Sequence, residues 1–326
     1  MPSSESRSRL GVTALATVLI LVLGACSHAS PTGDHKPAPG SDTGLKSALA
    51  RISDTAANRN GVYYDDTAGL TKLTGDSPAE GFGPLLGFGA SSLSSMGKPL
   101  RDDTGIDVAG ESYAISAGQP PRALTVVAGG QDGRQVTSRL TKLGWKSAAG
   151  ALTAPSVTAT YGIQLAKVRP DGSDVIIGGT GADLDRAGDP DGATLADDAL
   201  TSALAGCLGD VVTAYFVSGS TVTSSGMTEL AAGIARPASA SATPRAVVCT
   251  AWSSPGTASR YAAAARTDLK SGTSDASNRP YSSLLKNSGV TSVGGRQNVV
   301  RWQADTPGNA SMIFTMVVQR DLPGLE

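Results

Sequence analysis

The chain has 326 residues, 27 basic and 28 acidic side chains, a formal net charge of −1 and 4% aromatic residues. This near-neutral balance gives no reason to expect nucleic acid as a partner. Both histidines, His28 and His35, precede the first periodic segment, so the body of the chain lacks the means for Ser-His-Asp or Cys-His catalysis and for a histidine-ligated zinc or copper site.

At the N-terminus, Arg7 and Arg9 lead into an uncharged run from Leu10 to Leu23, which ends in Leu23-Gly24-Ala25-Cys26. About 14 such residues are too few to span roughly 30 Å of hydrocarbon as a permanent helix. A positive stub, a short apolar run, two small residues and a cysteine resemble the lipobox signal peptide of bacterial lipoproteins. The resemblance implies cleavage before Cys26 and acylation of its sulfur. It also implies a place on the extracytoplasmic face of the cell membrane, with the membrane as a partner through the lipid anchor. One acyl chain holds a protein only marginally, and the diacylglyceryl group of that family meets the need for a second. Residues 27–42, rich in Ser, Pro, Gly and His, bury too little apolar surface to fold and read as a tether reaching about 20 Å. The heavy use of Ala, Gly, Ser and Thr with few Lys is similar to that of high-GC Gram-positive proteins. The division expected is signal peptide 1–25, lipidated cysteine and tether 26–42, one α+β half 43–190, and a second α+β half 191–326.

Beyond the tether, Leu45, Ala48, Leu49 and Ile52 have helical spacing, and Gly61–Asp65 predicts a short aromatic strand through Val62, Tyr63 and Tyr64. Gly83 to Met96 predicts a loop-rich helix. Tyr113–Ser116 and Arg122–Ala128 predict strands, and Asp132 caps a helix bearing Val136, Leu140 and Leu143. Tyr161–Val168 alternates as a strand, and Asp171-Gly172 turns into Val175-Ile176-Ile177 as a hairpin. Helices are expected over Thr194–Cys207, with Thr194 as cap, over Met227–Ala235 and over Ala258–Leu269. Strands are expected over Val211–Val217, Arg245–Trp252, Val290–Val293, Val299–Trp302 and Met312–Val318, the last three as a closing antiparallel meander. The fold class is therefore α+β, with mixed or antiparallel sheets and flanking helices. A faint echo points to two similar α/β halves: Leu45-Lys46-Ser47-Ala48-Leu49-Ala50 matches Leu200-Thr201-Ser202-Ala203-Leu204-Ala205, and Pro121-Arg122-Ala123-Leu124 matches Pro244-Arg245-Ala246-Val247. Alanine-rich sequence also yields such matches by chance.

Chemistry-bearing residues are few. With Cys26 acylated in an oxidising compartment, Cys207 and Cys249 are expected to pair; closing a loop of about 40 residues contributes roughly 4 kcal/mol in the chain-entropy model. Asp189-Pro190-Asp191-Gly192 resembles the core of a calcium loop, with Asp198 in its last position, although Ala187 stands where the first ligand belongs. Calcium is the only cofactor this suggests, and a capped acidic turn accounts for the same residues. Ile177-Gly178-Gly179-Thr180-Gly181-Ala182 lacks the helix a phosphate loop needs. Ser95-Met96-Gly97-Lys98 and Ser283-Leu284-Leu285-Lys286 match the Ser-x-x-Lys of penicillin-recognising enzymes without the elements that accompany it. The Gly81–Gly97 stretch reads as core packing or, in the alternative, as a mobile apolar lip. The leading expectation is an envelope module that binds or scaffolds without chemistry of its own, its partner an envelope protein or a small apolar ligand. A solute- or lipid-binding receptor and a histidine-free hydrolase are the alternatives.

Overall fold

In the computed structural model, residues 44–75, 81–156, 164–218, 221, 225–293 and 296–325 are described, and all belong to the unit Pro37–Glu326. Cys26, the segments expected to be a leader and a tether, and the first residues of the strand expected over Tyr161–Val168 lie outside the described residues; the described remainder of that expectation is a turn entering a strand that starts at Lys167.

Twelve strands form one sheet in which every pairing is antiparallel. The first seven are β1 (Val62–Asp65), β2 (Tyr113–Ala117), β3 (Leu124–Ala128), β4 (Lys146–Ala148), β5 (Ala151–Thr153), β6 (Lys167–Asp171) and β7 (Asp174–Gly178). Next come β8 (Val211–Ser218), β9 (Met227–Ala235), β10 (Arg245–Trp252) and the small separate hairpin of β11 (Thr273–Ser274) and β12 (Arg279–Pro280). The last two are β13 (Lys286–Val293) and β14 (Val299–Asp305). Their order across the sheet is β13-β14-β10-β9-β8-β1-β2-β3-β7-β6-β5-β4. The eight helices among the described residues are α1 (Leu45–Leu49), α2 (Thr67–Thr74), α3 (Gly97–Thr104), α4 (Gly133–Lys142), α5 (Ala199–Leu208), α6 (Pro255–Ser271), α7 (Tyr281–Leu284) and α8 (Met312–Val318).

The sheet order contains a repeat. Reading outward from its middle, β1-β2-β3-β7-β6 on one side is matched by β8-β9-β10-β14-β13 on the other. In each copy a short helix precedes the first strand, a hairpin follows, and a capped helix leads to the outer hairpin. The register makes the match residue by residue. Aligning Leu124 with Val247, as the sequence echo does, places Ala117 with Gly233 through the β2–β3 and β9–β10 pairings. The next pairings inward then place Tyr63 with Tyr215 and Tyr64 with Phe216. Outward they place Ile177 with Trp302 and Val168 with Val290. The helix caps agree: Asp132 of the first copy accepts the N–H of Arg134 and Gln135, and Ser254 of the second accepts that of Thr257. Tyr63 and Tyr215 face each other where the copies meet, their rings stacked at 4.6 Å.

Both sheet faces are covered, which is why the strands read as continuous apolar runs more than as alternations. On one face α1 and α5 share a single core with Leu49, Leu204, Tyr64, Phe216 and Val126. On the other face each copy has its own. Val136 and Leu140 of α4 pack with Val127 and Ile177, and Ala258 and Ala262 of α6 pack with Val300 and Trp302. The small residues of α6 face the large Trp302, while the larger residues of α4 face Ile177. The volumes compensate, as close packing requires.

Three expectations are corrected. Met227–Ala235 is β9 and not a helix. Its Met, Glu, Leu and Ala favour helix, but the segment is paired on both sides, and Gly233 lets it approach β8 so closely that a Cβ would lie 2.7 Å from the Thr213 carbonyl oxygen. Met312–Val318 is helix α8 and not a meander strand, because Ile313, Phe314, Met316 and Val317 form one buried helical stripe. The helix expected from Thr194 begins at Ala199. Asp198 caps it by accepting the N–H of Thr201, while Asp197 accepts the N–H and hydroxyl of Thr194. The Gly83–Met96 segment is 3₁₀ turns at Gly83–Leu85 and Phe88–Met96, and its Phe82, Leu85 and Leu93 are buried. It serves as core packing, with Phe88 4.3 Å from Phe314.

Candidate functional site

Where one copy buries a polar or cross-linking group that its counterpart at the same register position lacks, volume compensation does not account for the difference. Three such places stand out.

The first is the disulfide. Cys207 at the end of α5 is bonded to Cys249 of β10, with Cα atoms 6.2 Å apart. The equivalent residues of the first copy are Ile52, two positions beyond the shared hexapeptide, and Val126, and all four lie in the core shared by α1 and α5. A covalent link thus stands where the first copy has an apolar contact.

The second is an acid pair. Asp65 ends β1 and Glu111 precedes β2; the register sets them against Val217 and Met227, both in the apolar core of the second copy. Asp65 accepts the N–H of Gly87 at 2.8 Å and of Gly89 at 3.1 Å. Gly89 is required there, since a Cβ would lie 2.2 Å from the Ala114 oxygen and 2.5 Å from the Asp65 nitrogen. The Thr67 hydroxyl lies 3.2 Å from Asp65 Oδ2 and 3.0 Å from Glu111 Oε1. One hydroxyl proton cannot serve both oxygens, so a proton on one carboxyl completes the bridge. Burial, the largest cause, pushes Asp65 up to about 7 and Glu111 up to about 8; the Asp65 charge adds to the rise at Glu111. Glu111 Oε2 and Thr213 Oγ1, the latter on the residue opposite Asp65 in β8, are buried without hydrogen-bond partners among the described residues. The cluster holds a proton at neutral pH. With Asp65, Thr67 and Glu111 all buried, it offers no reach to a substrate.

The third is Glu229 of β9, whose equivalent is Tyr113. In the first copy Arg51 Nη1 donates to the Tyr113 hydroxyl at 3.1 Å, and Arg51 Nη2 pairs with Asp174 at 2.8 Å. In the second copy Glu229 is buried and lines a cavity of about 420 Å³ with Ala56, Arg59, Asn60, Ser218, Thr221 and Thr228. Burial first, then the Asp198 charge, push its carboxyl up to about 8, against the opposing pull of Arg59. A perturbed acid opening onto a ligand-sized cavity is the arrangement that marks functional sites.

The residues expected to bind calcium are not gathered into a site. Asp198 caps α5 and pairs with Arg59 at 3.2 Å. Asp189 and Asp191 lie in the loop before it, and among the described residues no group of three or more His, Cys, Asp or Glu side chains is placed to hold a metal ion. The glycine run after β7 leads into a 3₁₀ turn, Leu184–Arg186, where Gly178 is needed for close packing against Leu184 and Ala182. Lys98 pairs with Asp102, and Lys286 donates to the Ser282 carbonyl. Trp252 and Trp302 are packing residues around Tyr261, which accepts the Trp302 indole N–H at 3.0 Å.

Asp65, Glu111 and Glu229 were not singled out from the sequence. The available signal was a lone acid inside an otherwise apolar strand, as in Val62-Tyr63-Tyr64-Asp65 and Met227-Thr228-Glu229-Leu230. Comparison with known protein families, curated proteins and solved structures finds no match to this chain. The fold and site define an internally duplicated α+β domain, closed by one disulfide and carrying a buried acid in each copy.

Proposed function

We propose that this protein is a lipoprotein held on the extracytoplasmic face of the cell membrane through acylated Cys26, and that its duplicated domain binds or scaffolds an envelope component without chemistry of its own. The observation that carries the reading is the Cys207–Cys249 bond, since disulfides form and persist in oxidising compartments. It agrees with the export signal that Arg7, Arg9, the apolar run and Leu23-Gly24-Ala25-Cys26 resemble. The length of the tether sets the domain about 20 Å from the bilayer. Among the described residues no helix is long and apolar enough to cross a membrane, and the reading places attachment at the acyl chains.

The test is metabolic labelling with palmitate. Label enters the wild-type chain and is absent from Cys26→Ser. Label missing from the wild type, or equal in both, overturns the anchor and its location.

A further inference from the structure

Glu229 is 94% buried by its 6% exposure and lines the cavity beside Arg59. It has neither a hydrogen-bond nor an ion-pair partner among the described residues, a costly state for a carboxylate. Arg59 is already engaged: its Nε and Nη2 lie 2.5 and 2.6 Å from the two Asp54 oxygens, and Nη2 lies 3.2 Å from Asp198. Once Glu229 ionises, the three carboxylates outnumber the one guanidinium around the cavity. The first copy closes its equivalent position with a cation of its own, Arg51 against Tyr113 and Asp174. In the second copy no cationic side chain among the described residues forms an ion pair with the Glu229 carboxylate.

We propose that this cavity binds a small molecule through a primary ammonium group, with Glu229 as its counter-ion. An ammonium carries one positive charge and three N–H donors. One donor meets the carboxylate, and the side-chain oxygens of Asn60, Thr221 and Thr228 in the lining can accept the others. A metal ion fits less well, because no set of three ligating side chains converges among the described residues. A cavity of about 420 Å³ has room for a modest scaffold beyond the amine. This assignment does not depend on the lipid anchor, so a failed palmitate experiment leaves it standing.

The experiment is calorimetric titration of the full-length chain at neutral pH with n-butylamine and, separately, with n-butanol. The amine binds and the alcohol does not, and Glu229→Gln weakens amine binding by about tenfold or more, roughly 1.4 kcal/mol. Because the free carboxyl is pushed up to about 8, amine binding at neutral pH expels a proton. The measured enthalpy therefore changes with the ionisation enthalpy of the buffer in the wild type and not in the variant. The Gln side chain replaces a buried neutral carboxyl with an amide of the same shape, so the variant melts no lower than the wild type, and weakened binding cannot be ascribed to unfolding. Absence of amine binding at about 10 mM, equal binding of the alcohol, or unchanged binding to Glu229→Gln overturns the proposal.

Discussion

The two copies of the domain share strand order, register and a side-chain-capped helix before the outer hairpin, and differ in what they bury. The first copy buries Asp65 and Glu111 where the second buries Val217 and Met227. At the register position of Tyr113, which Arg51 satisfies in the first copy, the second has Glu229, without a hydrogen-bond or ion-pair partner among the described residues. The first holds its shared-face core together with Ile52 and Val126, the second with a covalent bond. One backbone thus carries an apolar or an acidic interior at the same register. Strand pairing and helix docking fix the frame, and the interior polar groups are extra cost that packing does not demand.

The largest effect expected from breaking this comparison is at the disulfide. Cys207→Ala with Cys249→Ala lowers stability by about 2–5 kcal/mol in urea denaturation, through loss of the cross-link and two small cavities. Cys207→Ile with Cys249→Val, the residues of the first copy, recovers part of that loss. Equal losses in the two double variants would show that the copies do not share a core environment.

The next effect is on pH dependence. Asp65, Glu111 and Glu229 all bind their protons more tightly in the folded chain than in the unfolded one. Their contribution is present below the unfolded carboxylate range and is lost as pH rises through about 7 to 8. Unfolding free energy therefore falls as pH rises from the unfolded carboxylate range to about 8. Replacing Asp65 with Val and Glu111 with Met, as in the second copy, flattens most of that slope. A stability that rises over the same range would contradict the buried acids.

Gly89→Ala comes third. Its Cβ would press on the Ala114 oxygen and on both the nitrogen and a carboxylate oxygen of Asp65, and thermal unfolding should register a loss of about 2–3 kcal/mol. The smallest effect is that of Asp198→Ala. Removing the α5 cap costs about 1 kcal/mol. Loss of its charge also moves the Glu229 carboxyl down, since Asp198 is one of the groups holding it up; titration followed by carboxyl-carbon resonance detects the change.

Much of the frame was legible before any coordinates. The hexapeptide at Leu45 and its echo at Leu200 mark α1 and α5, and the two Pro-Arg-Ala segments mark the entries to β3 and β10. The Asp132 cap and the Asp171–Asp174 hairpin follow from local chemistry alone. Met227–Ala235 and Met312–Val318 were misread because local preference opposes the environment. A helix-forming run is flattened between two strands, and a run of apolar residues coils to bury one stripe.

Composition, cap residues and turn pairs are properties of neighbours along the chain, and they carry the α+β class and the expected pairing of Cys207 with Cys249; the echo is faint by itself, and strand order and register are what make it a repeat. Partners drawn from distant segments are another matter. That Asp65 meets Thr67 and Glu111 under the glycines of the 3₁₀ turn, and that Glu229 opens onto a cavity beside Arg59, follows from strand register and from how closely the backbones approach. Those are long-range packing outcomes, and no local pattern encodes the burial that sets a carboxyl's charge.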